Sequence, residues 1–233
     1  MRPHPPTLSV VLPTLDEETR IGAAVAALRR TRGVDEIVVV DGASTDATVA
    51  LARSAGATVL HGPRGRGLQL NLGAAHARGD ALLFLHVDCR LPDDAVQRVH
   101  HTLAQPDVVA GAFRTKHVLD GPGQRWLRPV LPLADLRSRY TRHPYGDQAL
   151  FVRADAFRAI GGYRAAPMME DVDLARRLWR VGRIQLLPEQ VKVSARRYAS
   201  GPLRAAVMMN TVPMLWRLGV SERTLARWYG APR

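Results

Sequence analysis

The chain has 233 residues, 46% hydrophobic and 23% charged, a balance that excludes a disordered or membrane-embedded protein and allows a large buried core. Its net charge of +12 rests on arginine, since Lys116 and Lys192 are the only lysines. The basic residues are interspersed rather than gathered in a run and aromatic content is 6%, which argues against a nucleic-acid partner and leaves a phosphate-bearing ligand or an anionic membrane surface.

The start, Met1 to Pro6, has three prolines and no apolar core of a signal peptide, so a cytoplasmic location is expected. Short apolar runs then alternate with helical patterns. Leu8 to Leu12 precedes a helix over Glu17 to Arg30, and Glu36 to Val40 precedes one over Thr45 to Ala55. Thr58 to Leu60 is followed by Gly67 to Ala77, and Ala81 to His86 by Asp93 to Ala104. Continuous apolar strands between helices predict an α/β fold, a doubly wound and mostly parallel sheet with helices on both faces.

After a strand over Val108 to Thr115 the rhythm breaks. Leu119 to Tyr140 is rich in Pro, Gly and Arg, gives no clean period, and reads as a mobile or substrate-facing excursion. The pattern resumes with a strand over Ala149 to Arg153, a helix over Ala154 to Ile160, a Gly161-Gly162 turn and a helix from Asp171 to Val181. Two further strands, Arg183 to Leu187 and Val191 to Tyr198, lead to two terminal helices. No repeat or linker divides the chain, so one domain over 1–233 is expected. No apolar run approaches the ~20 residues of a spanning helix.

In open parallel sheets ligands bind outside the carboxyl ends of the strands, so the polar residues after each strand are the ones to read. Asp41 ends a buried strand, where it either meets a base or ribose or caps the turn into the next helix. Asp88 follows another apolar strand and, with His86 on the same face, could hold Mg²⁺ or Mn²⁺ together with diphosphate oxygens. Cys89 is the only cysteine, so a metal must use carboxylate, imidazole or solvent. Pro63-Arg64-Gly65-Arg66-Gly67 at a helix start suits an anion. Glu170-Asp171 precedes an amphipathic helix, as helix-start charge or as a general base that residue logic does not assign to one of the two. The Arg196-Arg197 cluster reads in isolation as a charged edge strand.

Val10-Val11-Leu12-Pro13-Thr14-Leu15-Asp16-Glu17, Ile37 to Asp46, Asn71 to Asp80, Leu85-His86-Val87-Asp88, Gly161-Gly162-Tyr163 and Met169-Glu170-Asp171 occur in this order. Together they resemble the family-2 glycosyltransferases, which have the GT-A fold. The His-x-Asp form of the metal motif, Gly146-Asp147-Gln148 and Arg196-Arg197 look closest to a small bacterial subgroup of stand-alone transferases found near radical enzymes and linked with arsenosugar-type pathways.

The resemblance implies a nucleotide-binding half over 8–107, an acceptor and catalytic half over 108–198, and C-terminal helices over 199–233. Pro13, Thr14, Glu17, Asp41, Arg66, Asn71 and His86 would serve a nucleoside diphosphate sugar, with UDP expected. Asp88 would meet a divalent Mn²⁺ or Mg²⁺, Gln148, Arg196 and Arg197 the acceptor or diphosphate, and Asp171, beside Glu170, would be the base of an inverting reaction. His86 and Gly42 depart from the family's usual aspartates, which puts metal dependence in question.

The alternatives are a sugar nucleotidyltransferase, which should carry a Gly-rich loop where Pro13 to Glu18 has no glycine, and a non-catalytic nucleotide binder on the same fold. Val207, Met208, Met214, Leu215, Trp216 and Leu218 form an apolar set beside Arg204 and Arg217. Packing on the core is preferred for them over lying on an anionic membrane.

Overall fold

The computed structural model describes residues 6–199 and 201–229. Strands β1 (Leu8–Thr14), β2 (Glu36–Asp41), β3 (Thr58–His61) and β4 (Ala81–Phe84) alternate with helices α1 (Ile21–Arg30), α2 (Thr48–Ser54) and α3 (Arg66–His76). The short β5 (Cys89–Arg90), α4 (Ala95–Leu103) and the long β6 (Val108–Val118) follow. Next come α5 (Leu131–Tyr140), β7 (Phe151–Arg153), α6 (Ala154–Ala159) and α7 (Glu170–Leu178). The chain continues with β8 (Arg183–Ser194), α8 (Arg196–Ala199), α9 (Pro202–Arg217) and α10 (Glu222–Tyr229).

One eight-stranded sheet runs in the order β3-β2-β1-β4-β7-β6-β8-β5. The β3-β2-β1-β4 half is parallel throughout, β7 is antiparallel to both its neighbours, and β6 with β8 is parallel again. Side chains alternate across a strand, and here both sets are apolar. Val10, Leu12, Val39 and Leu83 enter a core with Ile21, Val25, Val96 and Val99, whereas Val11, Val38, Val40, Leu82 and Phe84 enter another with Leu70, Phe157 and Leu174. Helix α3 lies close on the sheet because Gly73 has no side chain: a Cβ there would come within 2.3 Å of Val11 Cγ1.

Three expectations need correction. The excursion holds a 3-10 turn over Pro122–Leu127 and the regular helix α5. Its helical period was hidden because the outward face carries Leu133, Leu136 and Tyr140 instead of polar residues. The two strands predicted after residue 183 are one, β8. Phe113 pairs with Leu187 and Arg114 with Gln190, so Pro188 and Glu189 bulge out of register; proline cannot donate to the ladder, and the strand resumes beyond it. β8 also ends at Ser194, and Arg196, Arg197 and Tyr198 belong to the short helix α8 rather than to an edge strand.

No helix among the described residues is long and apolar enough to cross a membrane. The apolar set of the C-terminal helices divides. Met208, Leu215 and Trp216 pack against a cluster containing Tyr145, Met169, Val172 and Leu225, while Val207, Met214 and Leu218 are exposed. The side chain of Arg204 lies outside the described residues.

Candidate active site

The carboxyl ends of β2, β1 and β4, adjacent in the sheet, bring Asp41, Thr14 and the His86-Asp88 segment to one edge. Buried Gln69 on α3 ties this edge together by donating to the carbonyls of Thr14 (2.9 Å) and Val40 (2.8 Å). Between those ends and the starts of α3 and α7 lies a pocket lined by Pro13, Arg66, His86, Gly146, Tyr163, Glu170 and Asp171, among others. Five of these seven are residues singled out from the sequence; Gly146 and Tyr163 were quoted only as parts of motifs.

The charges here are arranged by burial. Arg66 at the start of α3 donates its Nε–H to buried Glu170 and forms an ion pair with it. Burial would raise the Glu170 carboxyl, but the Arg66 charge and hydrogen bond outweigh it and hold Glu170 below its ordinary value. Asp171, one residue on, is raised above its ordinary value by burial first and by the Glu170 charge second. Its Oδ2 accepts the Gly146 N–H at 2.6 Å and its Oδ1 the Val172 N–H at 2.8 Å, which fixes the carboxyl plane. Burial, with Arg66 beside it, lowers His86 to about 4, so the imidazole is neutral at pH 7. Tyr163, fully buried, is pushed well above the usual phenol range by burial and the two carboxylates.

A second group adjoins this pocket. Arg196 donates from Nη1 and Nη2 to the two carboxylate oxygens of Glu17 (2.8 and 2.5 Å) and from Nε to Asp88 (2.9 Å). Burial would raise Asp88, but His86, Arg197 and Arg196 outweigh it and its carboxyl is lowered. Three residues marked separately for nucleoside, metal and diphosphate therefore hold one another in this structure.

Other candidates have structural partners. The Asp41 carboxylate accepts from the Ala43 and Ser44 N–H groups (3.1 Å each), closing the turn into which Ala43 enters at φ 69. Asn71 clasps the Tyr163 backbone in both directions at 2.8 Å. Gln148 does not reach the pocket: it is fully buried, donates to the Phe113 carbonyl (2.9 Å) and accepts from the Tyr145 N–H (3.0 Å). The buried 3-10 turn before β7 uses, on backbone, the amide that sequence reading assigned to a ligand.

Among the described residues no three His, Cys, Asp or Glu side chains converge as a metal cage. Asp88 and the neutral His86 are the available donors, and one Asp88 oxygen is held by Arg196. That set fits a hard cation that keeps most of its ligands from a diphosphate.

A Rossmann-like parallel half with carboxylates at its strand ends, and a buried acidic pair at the start of α7, together form this site. The profile of Glycosyl transferase family 2 matches residues 9–165, and the chain belongs to that family. Over 160 residues it is 30% identical to the undecaprenyl-phosphate 4-deoxy-4-formamido-L-arabinose transferase of Pseudomonas paraeruginosa, covering 63% of this chain and 47% of that protein. Over 98 residues it is 37% identical to the glucosyl-3-phosphoglycerate synthase of Mycolicibacterium smegmatis, covering 37% of this chain and 32% of that one. The chain thus spans at most about half the length of these curated relatives.

Among solved structures, the mannosyltransferase PcManGT of Pyrobaculum calidifontis, in complex with GDP-Man and Mn²⁺, superposes with a TM-score of 0.71 at 19% identity over 97% of this chain and 70% of that one. Glucosyl-3-phosphoglycerate synthase of Mycobacterium tuberculosis, with Mn²⁺, UDP and phosphoglyceric acid, gives 0.56 at 20% identity over 79% and 69%. The fold is that of these GT-A enzymes.

Proposed function

We propose that this chain is an inverting transferase that moves a sugar from a nucleoside diphosphate sugar, a UDP-sugar, to the hydroxyl of a small or lipid-like acceptor. The observation that carries the reading is Asp171. It is a buried carboxylate raised above its ordinary value, fixed by two N–H groups, in a pocket where Arg66 neutralises the carboxylate next to it. A carboxylate poised in this way is a competent general base.

In the proposed reaction the acceptor oxygen attacks the anomeric carbon from the face opposite the diphosphate, and Asp171 takes the hydroxyl proton. The bond from that carbon to the diphosphate oxygen breaks, and nucleoside diphosphate leaves with the electron pair. Pro13, Thr14, Glu17 and Asp41 border the nucleoside, and Arg196 and Arg197 supply positive charge on the diphosphate side. A divalent cation, Mn²⁺ or Mg²⁺, would be held by Asp88 and His86 and would offset charge on the departing diphosphate. The match to mannosyl- and glucosyltransferase structures with bound Mn²⁺ supports this reading. So does the retained His86-x-Asp88, Gly146-Asp147-Gln148 and Arg196-Arg197 pattern for kinship with the stand-alone subgroup. Asn71 and Gln148 act on the donor only by shaping backbone.

The test is a panel of UDP-, GDP- and dTDP-sugars with and without Mn²⁺, read by thermal shift, followed by NMR of the anomeric configuration of the product. A ligand at 100 times its dissociation constant stabilises by about 2.7 kcal/mol. Stabilisation by UDP-sugars and an inverted product are expected; a product with retained configuration overturns the mechanism.

A further inference from the structure

Helix α5 places Leu133, Leu136 and Tyr140 at offsets of three and four residues, hence on one face, and they are 62%, 44% and 77% exposed. Trp126, in the 3-10 turn just before it, is 52% exposed. Helix α9 touches α5 at Met209, whose carbonyl accepts from Arg137 at 3.1 Å, and its C-terminal end exposes Met214 and, just beyond the helix, Leu218. Large apolar side chains so placed leave a folded chain with an uncovered face.

The exposed charges of this turn and helix, within residues 121–142, are of one sign. Arg125, Arg128, Arg139 and Arg142 are all exposed, and among the described residues no carboxylate lies within ion-pair distance of any of them. From residue 121 to residue 142 the only carboxylate is Asp135. It is engaged inward, accepting from the His117 N–H at 2.9 Å and lying 2.7 Å from the His117 ring. A second copy of the chain would bring the same arginines against these, so self-association is opposed.

We infer that the outer face of α5 with its preceding turn, together with the C-terminal end of α9, docks on an anionic lipid surface. The aromatic and aliphatic side chains enter the interface and the arginines meet the headgroups. The segment leaving α5 runs to Gly146, whose N–H holds Asp171, so only a short stretch of chain separates the docked helix from the proposed base. A lipid-borne acceptor is the consequence, and this last step rests on the transferase reading.

The experiment is co-sedimentation of the full chain at low salt with phosphatidylglycerol vesicles and with phosphatidylcholine vesicles. Binding to the former only is expected. The double variant Leu133→Ser with Leu136→Ser, which leaves the charge unchanged, should weaken it by at least about tenfold. Trp126→Ser with Met214→Ser repeats the test on other elements, should the first pair fail to melt like wild type. Absence of binding to phosphatidylglycerol overturns the inference, and so does binding unaffected by either pair, which would mean net charge alone. A dimer in sedimentation equilibrium that the same variants dissociate overturns it in favour of a second copy. UDP binding measured without vesicles separates the two ideas, because it is unchanged in these variants if the donor site exists and absent in wild type if the transferase reading fails.

Discussion

Arg66 at the start of α3 and Glu170 at the start of α7, 104 residues apart in the chain, form an ion pair whose carboxylate is almost wholly buried. The pair keeps two adjacent buried carboxyl groups from sharing their charge without a counterion. Removing the cation leaves Glu170 uncompensated, so Arg66→Met should cost about 3 to 5 kcal/mol at pH 7, read by urea denaturation. Glu170 is depressed in the folded state, so its contribution is present above the ordinary glutamate range and is lost as pH falls through the folded value. The wild type and the variant should therefore converge in acid, and a constant difference from pH 7 to pH 3 would contradict the assignment.

For the cation, Asp88→Ala should abolish any Mn²⁺ enhancement of UDP binding in calorimetry, whereas His86→Ala should reduce it in part. Asp88 offers a carboxylate at the strand end and His86 a neutral ring. Turnover by the wild type that survives chelation unchanged would show that Arg196 and Arg197 suffice for the diphosphate.

The parallel half of the sheet was legible because its strands are buried on both faces and read as unbroken apolar runs, which makes the first polar residue after each run conspicuous. Pro13, Arg66, His86, Glu170 and Asp171 were found in that way or through the family's motifs, and they line one pocket. The Glu17-Arg196-Asp88 bridge was not legible: Glu17 and Arg196 are 179 residues apart, and which carboxylate an arginine selects is a property of the tertiary fold. The backbone bonds of Asn71 and Gln148 were not legible for a related reason, since an amide that satisfies backbone carries the same letter as one that binds a ligand. Helix α5 escaped because its exposed face is apolar, which erases the contrast that a helical period depends on.

Gly146 offers a test of geometry rather than charge. A Cβ at this position would lie 2.8 Å from His86 Nε2 and 3.4 Å from Asp171 Oδ2. Gly146→Ala keeps the N–H that Asp171 accepts but must displace the half-buried imidazole, at about 1 to 3 kcal/mol for an overpacked site. We expect kcat to fall by about ten- to a hundredfold while the protein remains folded, since small misplacements of reacting groups carry such costs. Unchanged kcat in a variant of normal melting temperature would remove the Gly146 segment from the site.

The proposed mechanism depends most on Asp171. An inverting transfer must remove a proton from the acceptor, and general-base assistance is typically worth about 10² to 10⁴ in rate, so Asp171→Asn should lower kcat by that order. UDP affinity should stay near wild type, because the carboxylate acts on the acceptor and does not hold the donor. The pH profile supplies a second reading. Burial and the Glu170 charge raise Asp171, and a base works only when deprotonated, so kcat should fall toward acid through a value above the ordinary aspartate range. Removing the Glu170 charge with Glu170→Gln takes away one cause of the shift and should move that limb to lower pH. A carboxylate that merely favours the start of α7 predicts otherwise: about 0.3 to 1 kcal/mol of stability, with turnover unchanged in the amide variant. Full activity in a folded Asp171→Asn protein would refute the base assignment. Selective loss in Glu170→Gln, with Asp171→Asn active, would move the base by one residue and leave the transferase reading in place.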